Sequence, residues 1–114
     1  MLWCLGMHGS ASTWTFNAVQ KIAAVAMRDV RVVPVFVTDT MPDHDQRSGT
    51  LIVKTHATSV GQELARRATA IIVSIRDPRD VVASLMRHHK ASFDLAFSVT
   101  EASAWTCAEF VPRH

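Results

Sequence analysis

Ile71-Ile72-Val73-Ser74-Ile75-Arg76-Asp77-Pro78-Arg79-Asp80-Val81-Val82-Ala83-Ser84 passes from an apolar, β-branched run through a polar turn into a helical pattern. The run from Ala70 to Ile75 suits a buried strand. Asp77 is placed to cap a helix, Pro78 fits its first position, and Asp80 puts negative charge in its first turn. Val81, Val82, Leu85 and Met86 then recur at helical spacing as the side to be buried, so the helix is expected over Pro78 to His89. A strand feeding a helix through so tight a turn is half of a βαβ unit.

The rest of the chain repeats that alternation. Apolar runs at Leu2 to Leu5, Arg31 to Val37 and Leu51 to Val53 read as further strands, and Ser12 to Met27 and Val60 to Ala68 as further helices. Together they predict an α/β fold, three layers deep, around a central parallel sheet. Thr38 to Gly49 lacks periodicity and reads as an exposed loop. Asp94 to Phe110 carries enough Ala, Leu and Phe for a last helix that covers the core loosely. Trp3, Trp105 and the methionines read as core or cover, and Arg87, His88, His89 and Lys90 as a solvated helix end.

Bulk properties narrow the function classes. At 114 residues, 48% of them hydrophobic and 19% charged, the chain has the composition of one globular domain, residues 1–114, rather than of a disordered or fibrous segment. A formal charge of +2 is too small to imply nucleic-acid or membrane binding through net field alone. Cys4 and Cys107 form neither a disulfide framework nor a zinc pattern, so no metal is expected and a reducing compartment is the default. The N-terminal apolar run is short and has no basic leader, and no stretch reaches membrane-spanning length; these features read as cytoplasmic.

Two further segments carry candidate chemistry. Gly6-Met7-His8-Gly9-Ser10-Ala11-Ser12-Thr13-Trp14 follows the first strand and opens a helix, where backbone N–H groups and a helix N-terminus can cradle a phosphate. Its spacing is close to a Walker A loop, with Gly6 in place and Thr13 at the Ser/Thr position. Ser12 stands where that loop needs Lys and Ala11 where it needs its second Gly, which disfavours a Mg-dependent nucleotide hydrolase or kinase. Lys54-Thr55-His56 puts a cation and an imidazole just past a buried strand, at the edge where open α/β sheets hold their ligands.

In this order the three segments resemble the sulfotransferase family, whose fold is P-loop-like. The loop is similar to that family's 5′-phosphosulfate-binding stretch, Pro-Lys/Arg-Ser-Gly-Ser/Thr-Thr-Trp, matching at Ser10, Ser12, Thr13 and Trp14. It departs at His8 for Pro, Gly9 for the cation, and Ala11 for Gly. The resemblance implies that loss of the cation costs about 10²–10³ in rate unless His8 or another cation substitutes.

Lys54-Thr55-His56 looks like the family's Lys-Thr-His, which implies His56 as general base and Lys54 as the clamp on the transferring sulfonate. Arg76 and Ser84 match an Arg and a Ser eight positions apart that hold the donor's 3′-phosphate; the competing reading of the stretch is a capped surface helix in which Arg76 pairs with Asp80.

The implied donor is 3′-phosphoadenosine 5′-phosphosulfate (PAPS), held at its phosphosulfate end by Ser10, Ala11, Ser12, Thr13 and Trp14. The implied acceptor is a hydroxyl or amine on a small molecule or glycan. Nothing after Ser84 resembles the family's later Gly-rich, Lys-bearing segment, so the fold is expected to be incomplete on its C-terminal side. An exposed sheet edge or apolar face would offer a route to a homodimer. The same residues also suit a binding module that holds the nucleotide and transfers nothing.

Overall fold

The computed structural model describes residues 1–41, 49–56 and 59–111. Four strands, β1 (Leu2–Gly6), β2 (Val32–Phe36), β3 (Thr50–Thr55) and β4 (Ala70–Ser74), alternate with α1 (Ser12–Ala26), α2 (Gly61–Arg67), α3 (Pro78–His89) and α4 (Phe93–Phe110). Every strand pairing is parallel, in the order β2-β3-β1-β4. The protein is therefore α/β with an all-parallel four-stranded sheet, compatible with a three-layer arrangement. Of the loop expected over Thr38 to Gly49, residues 42–48 lie outside the described residues.

Alternation of side chains along the strands divides the core in two. Leu2 and Cys4 of β1, with Ile52 of β3, meet Phe16, Val19 and Ala23 of α1. Trp3, Leu5, Leu51 and Val53 point the other way and pack with Leu64 of α2, Val81, Val82 and Leu85 of α3, and Ala96 and Cys107 of α4. Full burial of an aliphatic side chain of this size contributes roughly 1.5–3 kcal/mol, and both central strands do so on both faces. The edge strands are less covered, and Phe36 at the end of β2 is exposed.

Helices on opposite faces matter for position. The chain passes from β1 to β2 over one face through α1, then from β3 to β4 over the other through α2. The loops that leave adjacent β1 and β3 therefore part at their C-terminal ends. Where neighbouring strands send their connections apart, an open parallel sheet forms its ligand crevice.

Three expectations need correction. Lys54 and Thr55 do not lie beyond a strand: they belong to β3, because Cys4 and Leu5 of β1 pair with them and Phe36 of β2 pairs with Lys54. Met86 is not buried, since it lies on a stripe with Arg79, Val82 and Ala83 that faces α4 rather than the sheet. Trp105 is no cover for the core; at 69% exposed it lines, with Met86, Phe93 and Phe97, an apolar groove of about 730 Å³ between α3 and α4. The basic cluster from Arg87 to Lys90 is exposed, as its composition implies. Among the described residues no helix is long and apolar enough to cross a membrane.

Among the described residues two non-glycine positions, Ala11 and Lys90, take the left-handed backbone that stores strain. Ala11, the residue before α1, has φ 61° and ψ 20°, a left-handed conformation that its Cβ disfavours. Ala11→Gly relieves it and is expected to stabilise the protein by about 0.5–1 kcal/mol, after allowing for the greater freedom of an unfolded glycine. A rise in the urea midpoint at unchanged slope checks this; no rise would show the turn to be relaxed.

Candidate functional site

The turn after β1 is closed by its own hydrogen bonds. Met7 N–H donates to the Ser74 carbonyl at 3.2 Å and so continues the β1–β4 ladder, while the Ser10 N–H and hydroxyl both donate to the Met7 carbonyl, at 3.2 and 2.7 Å. Gly9 and Ala11 take positive φ on either side of buried Ser10. Gly6 has to be glycine because any Cβ there would collide with the Ser12 side chain. Wound this tightly, the loop delivers α1 with no side-chain cap and no acidic residue in its first turn. The free N–H groups and dipole of that helix end favour an anion.

The end of β3 faces this loop across the crevice. Lys54 Nζ donates to Thr13 Oγ1 at 2.7 Å and stands 5.2 Å from the centre of the Phe36 ring. Partial burial lowers its pKa. His56 Nδ1 lies 2.8 Å from the Gly6 carbonyl. A carbonyl only accepts, so Nδ1 carries the hydrogen and the unprotonated nitrogen is Nε2.

Burial lowers the His56 pKa, the bond to Gly6 opposes that shift, and the nearby Lys54 charge adds to it. The imidazole is therefore neutral at pH 7. Thr55, between these two residues, points back into the core and accepts from Trp3 Nε1 at 2.9 Å.

Arg76 and Ser84 approach the same loop from the other side. Arg76 Nη1 donates to the Gly9 carbonyl at 3.1 Å, and its Nε stands 3.6 Å from Asp80 Oδ2, the pair that the competing surface-helix reading expects. The Ser84 hydroxyl would be 3.5 Å from a Cβ on Gly9. The turn between β4 and α3 is built as its composition implies: Asp77 accepts from Arg79 N–H at 2.9 Å and from the Arg79 guanidinium at 2.7 and 3.1 Å. These bonds hold the Asp77 carboxyl down at about 2.

Thr13, Lys54, His56, Arg76 and Ser84 are thus gathered around one turn, spanning residues far apart in the chain. Ser10 and Ser12 sit beneath that turn rather than on its open side, Ser10 spending its hydroxyl hydrogen on Met7. Trp14 is 73% exposed. Ala11 contributes through its backbone alone.

The sequence assigns Phe36 no role and names His8 only as a substitute for the missing loop cation. The His8 ring stacks on His56, centroids 4.0 Å apart and planes 25° apart, and Phe36 meets His56 edge-on at 5.9 Å. Phe36 could have been found from its place at the end of a strand neighbouring β3. The stack of His8 on His56 offered no such signal. Among the described residues no group of three or more His, Cys, Asp or Glu side chains could hold a metal ion. No family model matches this chain, and neither a curated protein nor a solved structure matches it.

Proposed function

We propose that the crevice holds the phosphosulfate end of PAPS and that the protein transfers the sulfuryl group to a hydroxyl or amine acceptor, on a fold related to the P-loop class. The observation that carries this reading is the bond from Lys54 Nζ to Thr13 Oγ1 at 2.7 Å: it holds a cation of the β3 end against the first turn of α1. Its support is the strand–loop–helix built around Gly6, the neutral His56 beside it, and Arg76 with Ser84 at the loop's far side.

In the reaction, His56 Nε2 removes the acceptor proton while the acceptor oxygen or nitrogen forms a bond to sulfur. The bond from sulfur to the bridging oxygen of the 5′-phosphate breaks. Adenosine 3′,5′-bisphosphate leaves with that electron pair, and Lys54 stabilises the charge that develops on the transferring group.

Gly9 favours a second reading. It has no side chain and its φ is +68°, so the loop presents no cation of its own at that position. A module that binds the nucleotide without turnover fits this feature.

Calorimetric titration with adenosine 3′,5′-bisphosphate tests both. Binding by the wild type, weakened in Arg76→Ala by roughly 2 kcal/mol or about 30-fold, is the expected result. Absence of binding by the wild type overturns the donor site. Binding without sulfuryl transfer to any hydroxyl or amine acceptor selects the module.

A further inference from the structure

We infer that the groove between α3 and α4 is a second binding site, for a small organic cation whose ammonium group is carried on an apolar body, and that Glu101 meets the ammonium. This site lies on the side of α3 opposite Ser84 and is independent of the crevice's chemistry.

The walls of the groove are apolar. Phe93, Phe97 and Trp105 of α4 are each more than half exposed and line it together with Met86 of α3, and the Phe93 and Phe97 rings stack with centroids 6.0 Å apart. Apolar side chains of this size gathered on one exposed surface mark a place where something binds. Val82 and Thr100, both buried, line the groove as well, and the Thr100 hydroxyl spends its hydrogen on the Ala96 carbonyl at 2.7 Å. A space of about 730 Å³ with hydrophobic and aromatic walls and few polar groups is of the size and kind that holds a small molecule.

Charge decides the class of ligand. The ionic side chains that line the groove are Arg79 and Glu101. The Arg79 guanidinium is held by Asp77 at 2.7 and 3.1 Å, whereas Glu101 has no hydrogen-bond or ion-pair partner among the described residues. α4 carries Asp94, Glu101 and Glu109 and no Lys or Arg, so nothing on this helix neutralises the carboxylate. The basic residues that end α3, Arg87 to Lys90, do not line the groove.

Residues four apart share a helix face, which sets Glu101 between Phe97 and Trp105. A carboxylate flanked by aromatic rings suits a cation, because an ammonium pairs with the carboxylate and is also drawn to the ring faces. A carboxylic acid or a phosphate would be repelled, and a neutral apolar molecule would leave the charge unmatched. One carboxylate addresses one cation: Asp94 and Glu109 do not line the groove, so a basic amphipathic helix, with its row of cations, finds a single partner there.

Phenylbutylamine, phenylbutanol and phenylbutyrate are the probes, since they share an apolar body and carry a cation, a neutral hydroxyl and an anion at pH 7. NMR titration at low salt follows the Ala83 and Ala104 methyl groups and the Trp105 indole N–H, with the Gly9 and Ser10 amides reporting on the crevice. The amine is expected to shift the groove signals alone, with a Kd on the order of a millimolar, and to bind about fivefold or more tightly than the alcohol; the butyrate should be weakest. Added salt should narrow that gap. Glu101→Gln should bring the amine to the alcohol's affinity, and because Glu101 is exposed the variant keeps the fold. Ala83→Leu, at an exposed position that lines the groove, should weaken all three probes.

The site is overturned if the amine leaves the groove signals unmoved or moves Gly9 and Ser10 instead. An amine that binds no better than the alcohol, or a preference that survives in Glu101→Gln, overturns the role of Glu101 and with it the assignment of a cation. A basic amphipathic peptide that moves the groove signals where phenylbutylamine does not overturns the small molecule in favour of a protein partner.

Discussion

His56→Asn is expected to lower the rate of sulfuryl transfer by about 10²–10⁴-fold while leaving adenosine 3′,5′-bisphosphate binding in place. Asparagine is chosen because its amide nitrogen can still donate to the Gly6 carbonyl, the bond that holds the imidazole at 2.8 Å, so the strand end keeps its anchor. What disappears is the Nε2 lone pair. A retained rate, within about tenfold of wild type, would remove His56 from the chemistry. Lost nucleotide binding would instead make it a structural post.

The pH profile adds an independent check. Burial lowers the His56 pKa, so the base stays unprotonated through neutrality and the rate should fall only as the pH drops below the ordinary histidine range near 6.5. A kcat/KM that does not fall on the acid side would remove His56 as the base.

Much of this geometry was legible in the chain. Asp77-Pro78 announced a capped helix after a strand, and the cap formed with Arg79 N–H on the Asp77 carboxylate. Lys54 and His56 were recognisable as candidates because apolar β3 ends there, and a parallel sheet gathers its strand ends at one edge. Periodicity, however, says that a helix has an apolar stripe and not what the stripe will meet. Met86 is read as buried because it recurs with buried neighbours, and Trp105 as core or cover from its residue type; both line the groove where α3 and α4 part.

The stack of His8 on His56 was opaque for a different reason. Its meaning comes from a ring 48 positions away, and that distance collapses only because Leu5 pairs with Thr55 in parallel register, which sets the residues after each strand side by side. A short loop sequence contains no trace of that partner.

Trp3→Ala should be the most damaging single change to the fold, costing about 3–5 kcal/mol. The indole is fully buried, meets Phe110 of α4 edge-on with centroids 4.7 Å apart, and belongs to the core that α2, α3 and α4 share. For a domain of this length, total stability is on the order of 6–17 kcal/mol, so one truncation removes a large share of it. A fall in melting temperature of roughly 10–20 °C is expected, with a lower urea midpoint.

Trp3→Phe separates the indole's two contributions. It keeps most of the apolar volume but loses the Nε1–H that Thr55 accepts at 2.9 Å, and leaving a buried hydroxyl without that donor costs about 1–3 kcal/mol. Thr55 lies between Lys54 and His56, so this milder variant should loosen the crevice more than its stability loss alone implies: weaker nucleotide binding in a protein that is still folded. Thr55→Val, alone and combined with Trp3→Phe, completes a double-mutant cycle. A coupling energy near zero would show that the indole supports the site through volume alone; a clear coupling would show that the core hydrogen bond orients Lys54 and His56.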